Sequence, residues 1–201
     1  MPGDEAPSLR ERNKARARAE IAAAALDLFA QRGFADVTVD EIVIAAGVSR
    51  RTFFRYFETK EDALLADYPE LNVRLADSLS HGHAEDLMGA VRASLHRLAD
   101  WYVERSEAVL ARSQLIHDAL AVAARNLEFF SQWEKAIAAT TADSMGLDPG
   151  GLVPRTIAAA VVGAFRAALS QWVRSSCQED LHALTDQALD VVSAGLHSHR
   201  T

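Results

Sequence analysis

On a 3.6-residue period, Arg51, Phe54 and Arg55 share one face of the segment Arg50 to Phe57, while Phe53, Phe57 and part of Tyr56 share the other. Guanidinium forks suit guanine edges and phosphates, and a flat apolar ring suits a thymine methyl or a sugar. The aromatic face belongs in a core. The arginine face is either a surface for nucleic acid or the solvated side of an ordinary helix.

The surrounding residues favour the first alternative. Thr38 and Glu41 have capping-box spacing, with Val37 and Ile42 placed as a hydrophobic staple, so a helix starts at Val39. It runs through Ile42, Val43 and Ala45 and stops at Gly47, which can take the left-handed conformation of a C-terminal cap. Ser49 caps the next helix, with Val48 and Phe53 as its staple. That helix is short, because Thr59, with Asp62 three residues on, caps another. Two short capped helices about a glycine turn form the helix-turn-helix arrangement, whose second helix enters the major groove.

The run IAAAALDLFAQRGF, followed by TVDEIVIAAGVSRRTFFRYFETKEDALL, resembles the N-terminal DNA-binding domain of the TetR family of bacterial transcriptional regulators. The resemblance extends from about Arg18 to Leu65. It implies an all-helical homodimer with an N-terminal three-helix DNA-binding domain and a larger C-terminal domain that dimerises and binds a small molecule. RRTFFRYF followed by TKEDALL further resembles a branch with an acyl-CoA-like ligand-binding C-terminal domain, which includes regulators of mycofactocin genes.

The expected DNA-contacting set is Thr38, Ser49, Arg50, Arg51, Thr52, Phe54, Arg55, Tyr56 and Lys60. The resemblance gives base reading to Arg50, Arg51 and Phe54, and phosphate contacts to Thr38, Thr52, Tyr56 and Lys60. Phe54 stands where the family commonly has tyrosine, so a phenolic hydrogen bond is replaced by apolar or stacking contact.

The net charge of −7 looks wrong for a nucleic-acid binder until it is divided along the chain. Leu9 to Lys60 carries ten Lys/Arg against seven Asp/Glu, and Glu61 to Thr201 carries eleven against nineteen. A mildly basic foot on an acidic body can hold phosphates, but its affinity depends on dimerisation. Arg10, Arg12, Lys14, Arg16 and Arg18 form either a solvated helix start or an arm that reaches the DNA backbone.

The fold class is all-α: a helix-turn-helix domain over residues 9–58 and a helical ligand-binding and dimerisation domain over 59–201. The 201 residues are 49% hydrophobic, with alanine-rich helical patterns and no convincing alternating strand. Ser8 and Glu11 begin a first helix that Arg32-Gly33 ends. A helix from Lys60 meets Pro69, which kinks it or ends a first segment. His81-Gly82-His83 marks a loop, and Gly146 to Pro154 another. Helices follow over about 84–104, 107–117, 119–145, 154–174 and 179–196. The last two are apolar nearly all round, through Ile157, Ala158, Val161, Val162, Phe165 and Leu169 on one and Leu181, Leu184, Ala188, Val191, Val192 and Leu196 on the other. They pair with symmetry mates in a four-helix bundle, or a monomer buries them itself.

The expected effector set is Trp101, Gln114, His117, Arg125, Phe129, Trp133, Phe165 and Arg166, with Tyr102 and Phe130 adding aromatic surface. A pocket between bundle helices is mostly apolar with a few placed polar groups; each ring taken alone is equally a core residue. His81/His83 and His197/His199 lack a cysteine or clustered carboxylate, and Glu-x-x-His occurs once, at Glu179 to His182, so no metal site is expected. No HExxH, GxSxG or phosphate-binding glycine loop appears, and neither catalytic residue nor cofactor is expected. The charged N-terminus has no apolar core for a signal peptide, the run Ile157 to Phe165 is too short to span a bilayer, and the lone Cys177 has no partner for an internal disulfide. These features point to the cytoplasm. The partners expected are a palindromic DNA operator, a small and largely apolar effector that could be acyl-CoA-like, and a second copy of the chain. The alternative is a helix-turn-helix regulator switched by a protein partner, or one constitutively on DNA.

Overall fold

A computed structural model of the chain describes residues 8–80, 87–118 and 120–197. Among them are ten α-helices and no strand: α1 (Leu9–Arg32), α2 (Val39–Ala45), α3 (Arg50–Tyr56), α4 (Lys60–Leu64), α5 (Tyr68–Ser80), α6 (Leu87–Glu104), α7 (Ser106–Asp118), α8 (Leu120–Met145), α9 (Leu152–Arg174) and α10 (Leu181–His197). The chain divides into two compact units. The first runs through Ala66 and takes in Gln114–Arg125; the second holds Asp67–Ser113 and the chain from Asn126 onward. α4 packs on α1 in the first unit.

In the first unit, Ile21, Ala25 and Phe29 recur one helical turn apart and are fully buried, which fixes the inward face of α1. Gly33, at φ +82°, ends that helix with its N–H on the Phe29 carbonyl at 2.8 Å. Of the N-terminal cations, Arg18 is structural: it donates to the Ala66 carbonyl at 2.6 Å and lies over the Phe57 ring. Arg10, Arg12 and Lys14 are exposed, and Arg16 pairs with Glu20.

The helix expected from Lys60 breaks before its proline. α4 ends at Leu64, and the Asp67 carbonyl accepts the N–H groups of Glu70 and Leu71, opening α5. Pro69 therefore sits in a first helical turn, where a missing N–H costs nothing.

In the second unit α5 packs on α6, and α6 and α9 both pack on α10. Trp133, Phe165 and Trp172 are the largest buried side chains. A charged clasp joins α6 to α10: Arg92 donates to Asp186 and Asp190, His96 meets Asp186, and His182 meets Asp100. α10 opens at Leu181, with the Asp180 carboxylate accepting from His182 N–H at 2.8 Å.

On α9, Ala158, Val161, Val162, Phe165 and Leu169 are buried within the protomer. Exposed on α9 are the small residues Ala159, Gly163, Ala167 and Ser170, together with Leu152, Arg155 and Arg166. By length and composition α9 could cross a membrane, its most apolar window having a mean hydropathy of 1.5, which the short run Ile157 to Phe165 had not suggested; here that window is 44% buried in the protein.

Candidate functional site

The helix-turn-helix stands on local hydrogen bonds. Thr38 Oγ1 accepts from Glu41 N–H, and the Glu41 carboxylate accepts from Thr38 N–H at 2.8 Å, completing the box. The Thr38 N–H, then Arg32 at 2.6 Å, then the Thr38 hydroxyl hold the Glu41 carboxyl down at about 2. Gly47, at φ +65°, turns the chain, and Val48 N–H reaches back to the Val43 carbonyl. Ser49 Oγ caps α3 by accepting from Thr52 N–H at 3.1 Å.

α3 presents its two faces as the period requires. Phe53 and Phe57 are buried, Tyr56 is half-buried, and Arg50, Arg51, Phe54 and Arg55 are exposed. Phe54 keeps 49% of its surface in solvent while its ring meets Phe53 edge-on and lies 5.9 Å from the Arg50 guanidinium. Arg50 is tethered to Asp40 of α2 at 3.0 Å. Arg55 lies over the Tyr56 ring and donates to its hydroxyl. Among the described residues Arg51 has no polar partner, and its five N–H donors face solvent.

Lys60 has a different setting from the phosphate contact expected of it. Its Nζ donates to the carbonyls of Phe34, Ala35 and Val37 at 2.7, 3.4 and 2.8 Å and lies over the Phe34 ring. An ammonium has three protons, so this one is committed to closing the α1–α2 turn onto α4. Thr38 Oγ1 is likewise engaged in its cap. Ile44, 79% exposed at the end of α2, had no role in the sequence reading, because an isolated apolar residue in a short helix carries no signal of its exposure.

The effector set divides. Trp101, Trp133 and Phe165 are buried together in the second unit, in a train of rings that runs Trp101–Tyr102–Phe165–Trp133–Phe130 with centroids 5.2–6.2 Å apart. Arg166 lies over Phe130, and Phe129 stacks on Tyr68 at 4.8 Å. Trp133 Nε1 donates to Asn72 Oδ1, whereas the buried Trp101 Nε1 has no partner among the described residues. Arg125, assigned to the first unit, donates to Asp62 at 2.8 Å. Gln114 and His117 lie on α7, and their side chains are outside the described residues, as are His81, His83 and His199.

The sequence reading missed Arg112, a guanidinium with 7% of its surface exposed. Its Nη2 donates to Asp67 at 2.7 Å, its plane approaches the Tyr68 ring, and its buried Nε has no partner among the described residues. Burial pushes the Tyr102 hydroxyl well above the ordinary phenol range and raises that of Tyr68, with which it shares a hydrogen bond. The spacing Val109, Arg112, Leu115 was the available signal, since it places an arginine on a buried apolar stripe.

Residues 21–66 match the family described as bacterial regulatory proteins, tetR family, and residues 85–197 match the MftR C-terminal domain. MftR of Mycobacterium tuberculosis strain H37Rv, a candidate regulator of mycofactocin biosynthesis, is 32% identical over 88% of this chain and 89% of its own length. The helix-turn-helix regulator TcmR of Streptomyces glaucescens is 30% identical over 92% of this chain and 86% of its own. Among solved structures, the repressor FadR of Thermus thermophilus in complex with lauroyl-CoA superposes with a TM-score of 0.59 at 24% identity, covering 87% of this chain and 92% of that one.

Proposed function

The chain belongs to the TetR family of bacterial transcriptional regulators, and from that premise we propose that it represses transcription from a palindromic operator and is released by a small, largely apolar effector. Its relatives regulate transcription and are not enzymes. One observation carries the DNA reading: on α3, capped at Ser49, the exposed face is made of Arg50, Arg51, Phe54 and Arg55, and the buried face of Phe53 and Phe57. Arg51 reads a guanine edge, Phe54 covers a thymine methyl, and Thr52, Tyr56 and Arg55 hold phosphates.

Two such heads read an inverted repeat only when held at a fixed separation, so the protein acts as a homodimer. The exposed small residues of α9 and Val191 of α10, 70% exposed, supply a surface on which two copies approach closely. The effector binds among Trp101, Trp133 and Phe165. It lowers DNA affinity to the extent that it prefers the conformation whose heads do not fit the operator. The work takes place in the cytoplasm, beside the DNA.

A second reading, a regulator switched by a protein partner or always on DNA, draws support from the close ring contacts of that core. Selection of random duplex DNA by the purified protein tests the primary reading. Enrichment of an inverted repeat with half-sites about one helical turn, or a multiple of it, apart is expected. No enrichment over input would overturn it.

A further inference from the structure

The chain passes between its two units at three places, after Ala66, after Ser113 and after Arg125. Along the chain, a polar residue of the second unit stands close to each crossing. Asp67 follows the first crossing, Arg112 shortly precedes the second, and Asn126 follows the third. Among the described residues neither Arg112 Nε nor Asn126 Oδ1, both buried, has a hydrogen-bond partner.

A buried guanidinium is normally surrounded by acceptors, because leaving its donors unmet costs much of what burial gains. Among the described residues Arg112 has one, the Asp67 carboxylate, and uses Nη2 alone to reach it. Nε sits unmet beside an apolar wall formed by Tyr68, which also stacks on Phe129 and shares a hydrogen bond with Tyr102. Tyr102 continues into the buried rings of Phe165 and Trp133. The guanidinium, with donors unused among the described residues, therefore adjoins a run of buried aromatic rings. Asp67, with 38% of its side chain exposed, and Phe129, half-buried, bring this place to the protein surface.

We infer that Arg112 is the anchor for an anionic amphiphile: the effector's oxyanion head takes the guanidinium from Asp67, and its apolar body lies along Tyr102, Phe165 and Trp133. The exchange is of hydrogen bonds only, so no covalent step is involved. It rests on the proposed effector response and gives it a trigger. The Asp67 carbonyl opens α5, and the Ala66 carbonyl is held from α1 by Arg18, so a carboxylate released at Asp67 loosens the residue that follows the first crossing. An arginine suits this exchange because its planar fork can pass from one carboxylate to another acceptor without losing charge.

The test is equilibrium binding at neutral pH, followed by tryptophan fluorescence, with dodecanoate, 1-dodecanol and lauroyl-CoA on the full chain and on Arg112→Met, Arg112→Lys and Asp67→Asn. Circular dichroism and melting temperature show whether each variant folds. The wild type is expected to prefer dodecanoate or lauroyl-CoA to the alcohol by about tenfold or more, the worth of a charge-assisted hydrogen bond. Which of the two is preferred separates a free carboxylate from a coenzyme A conjugate. Arg112→Met should bind its preferred probe no better than the alcohol, and Arg112→Lys should keep part of the preference. Asp67→Asn should tighten binding of the charged probe and leave the alcohol unchanged, since it removes the competitor; a purely structural ion pair would give weaker binding of both. Equal affinity of the wild type for charged and neutral heads, binding of neither charged probe, or an unchanged preference in folded Arg112→Met would overturn the inference. Anisotropy on ligand-free protein with operator DNA is read separately. Loss of head-group preference with DNA binding intact sinks the anchor alone, whereas absence of DNA binding sinks the regulatory reading.

Discussion

Arg50 of α3 donates to the Asp40 carboxylate of α2 at 3.0 Å, so the residue next to Arg51 on the exposed face is held to the preceding helix while Arg51 is free. The pair is more than half exposed and worth little to stability. It matters as a restraint on a side chain that DNA would recruit. Asp40→Asn should release Arg50, remove a negative charge from the interface and tighten operator binding. Fluorescence anisotropy would register this; weaker binding would mean that Asp40 orients Arg50 in the complex.

Arg51→Ala and Lys60→Ala should fail in different ways. On the proposed base reading by Arg51, its loss should relax preference at one or two positions and cost about 1–3 kcal/mol. Lys60 ties three carbonyls of the α1–α2 turn, so its loss should lower the melting temperature and weaken all sequences alike. Binding profiles over single-base operator variants separate the two. A Lys60→Ala protein with unchanged melting and weaker DNA binding would return that lysine to the phosphate backbone.

Assembly should respond to the exposed strip of α9 and not to its apolar side. At Gly163 a Cβ meets only open space, so Gly163→Arg is compatible with the protomer and should give a folded monomer. Val191→Glu on α10 should do the same. Val162→Glu places a charge in a fully buried position and should unfold the chain. Sedimentation with circular dichroism decides; a dimer in both Gly163→Arg and Val191→Glu would move the interface elsewhere.

Acid should loosen the head through Glu41. Its carboxyl is held at about 2 in the folded state, against about 4.3 for an unperturbed glutamate, so its contribution is complete above the higher value and lost as pH falls through the lower. Glu41→Gln should remove that part of the pH dependence. Melting curves across this window check it, and equal slopes for the two proteins would refute it.

What the sequence made legible is what neighbouring residues decide among themselves. The caps at Thr38, Ser49 and Thr59, the turn at Gly47 and the two faces of α3 all depend on groups within a few residues. Long-range pairing was not legible. The pairing of Arg125 with Asp62, 63 positions away, leaves no trace in the residues around either one. Lys60 looked free because the carbonyls that take its protons lie 23 to 26 residues upstream. α9 looked apolar all round because alanine and glycine count with valine in a pattern; only packing showed which side was covered.

The central claim is that the exposed face of α3 distinguishes one DNA sequence from another. Competition binding at a single near-physiological salt concentration, with a selected inverted repeat against its scrambled version, measures this for the wild type and for Arg51→Ala with Phe54→Ala. The wild type should favour the repeat by about 10³ or more, and the double variant should lose most of that ratio while keeping its affinity for scrambled DNA to within the loss of one phosphate-strength cation. Equal affinity of the wild type for both duplexes, or an unchanged ratio in the folded double variant, would contradict the account.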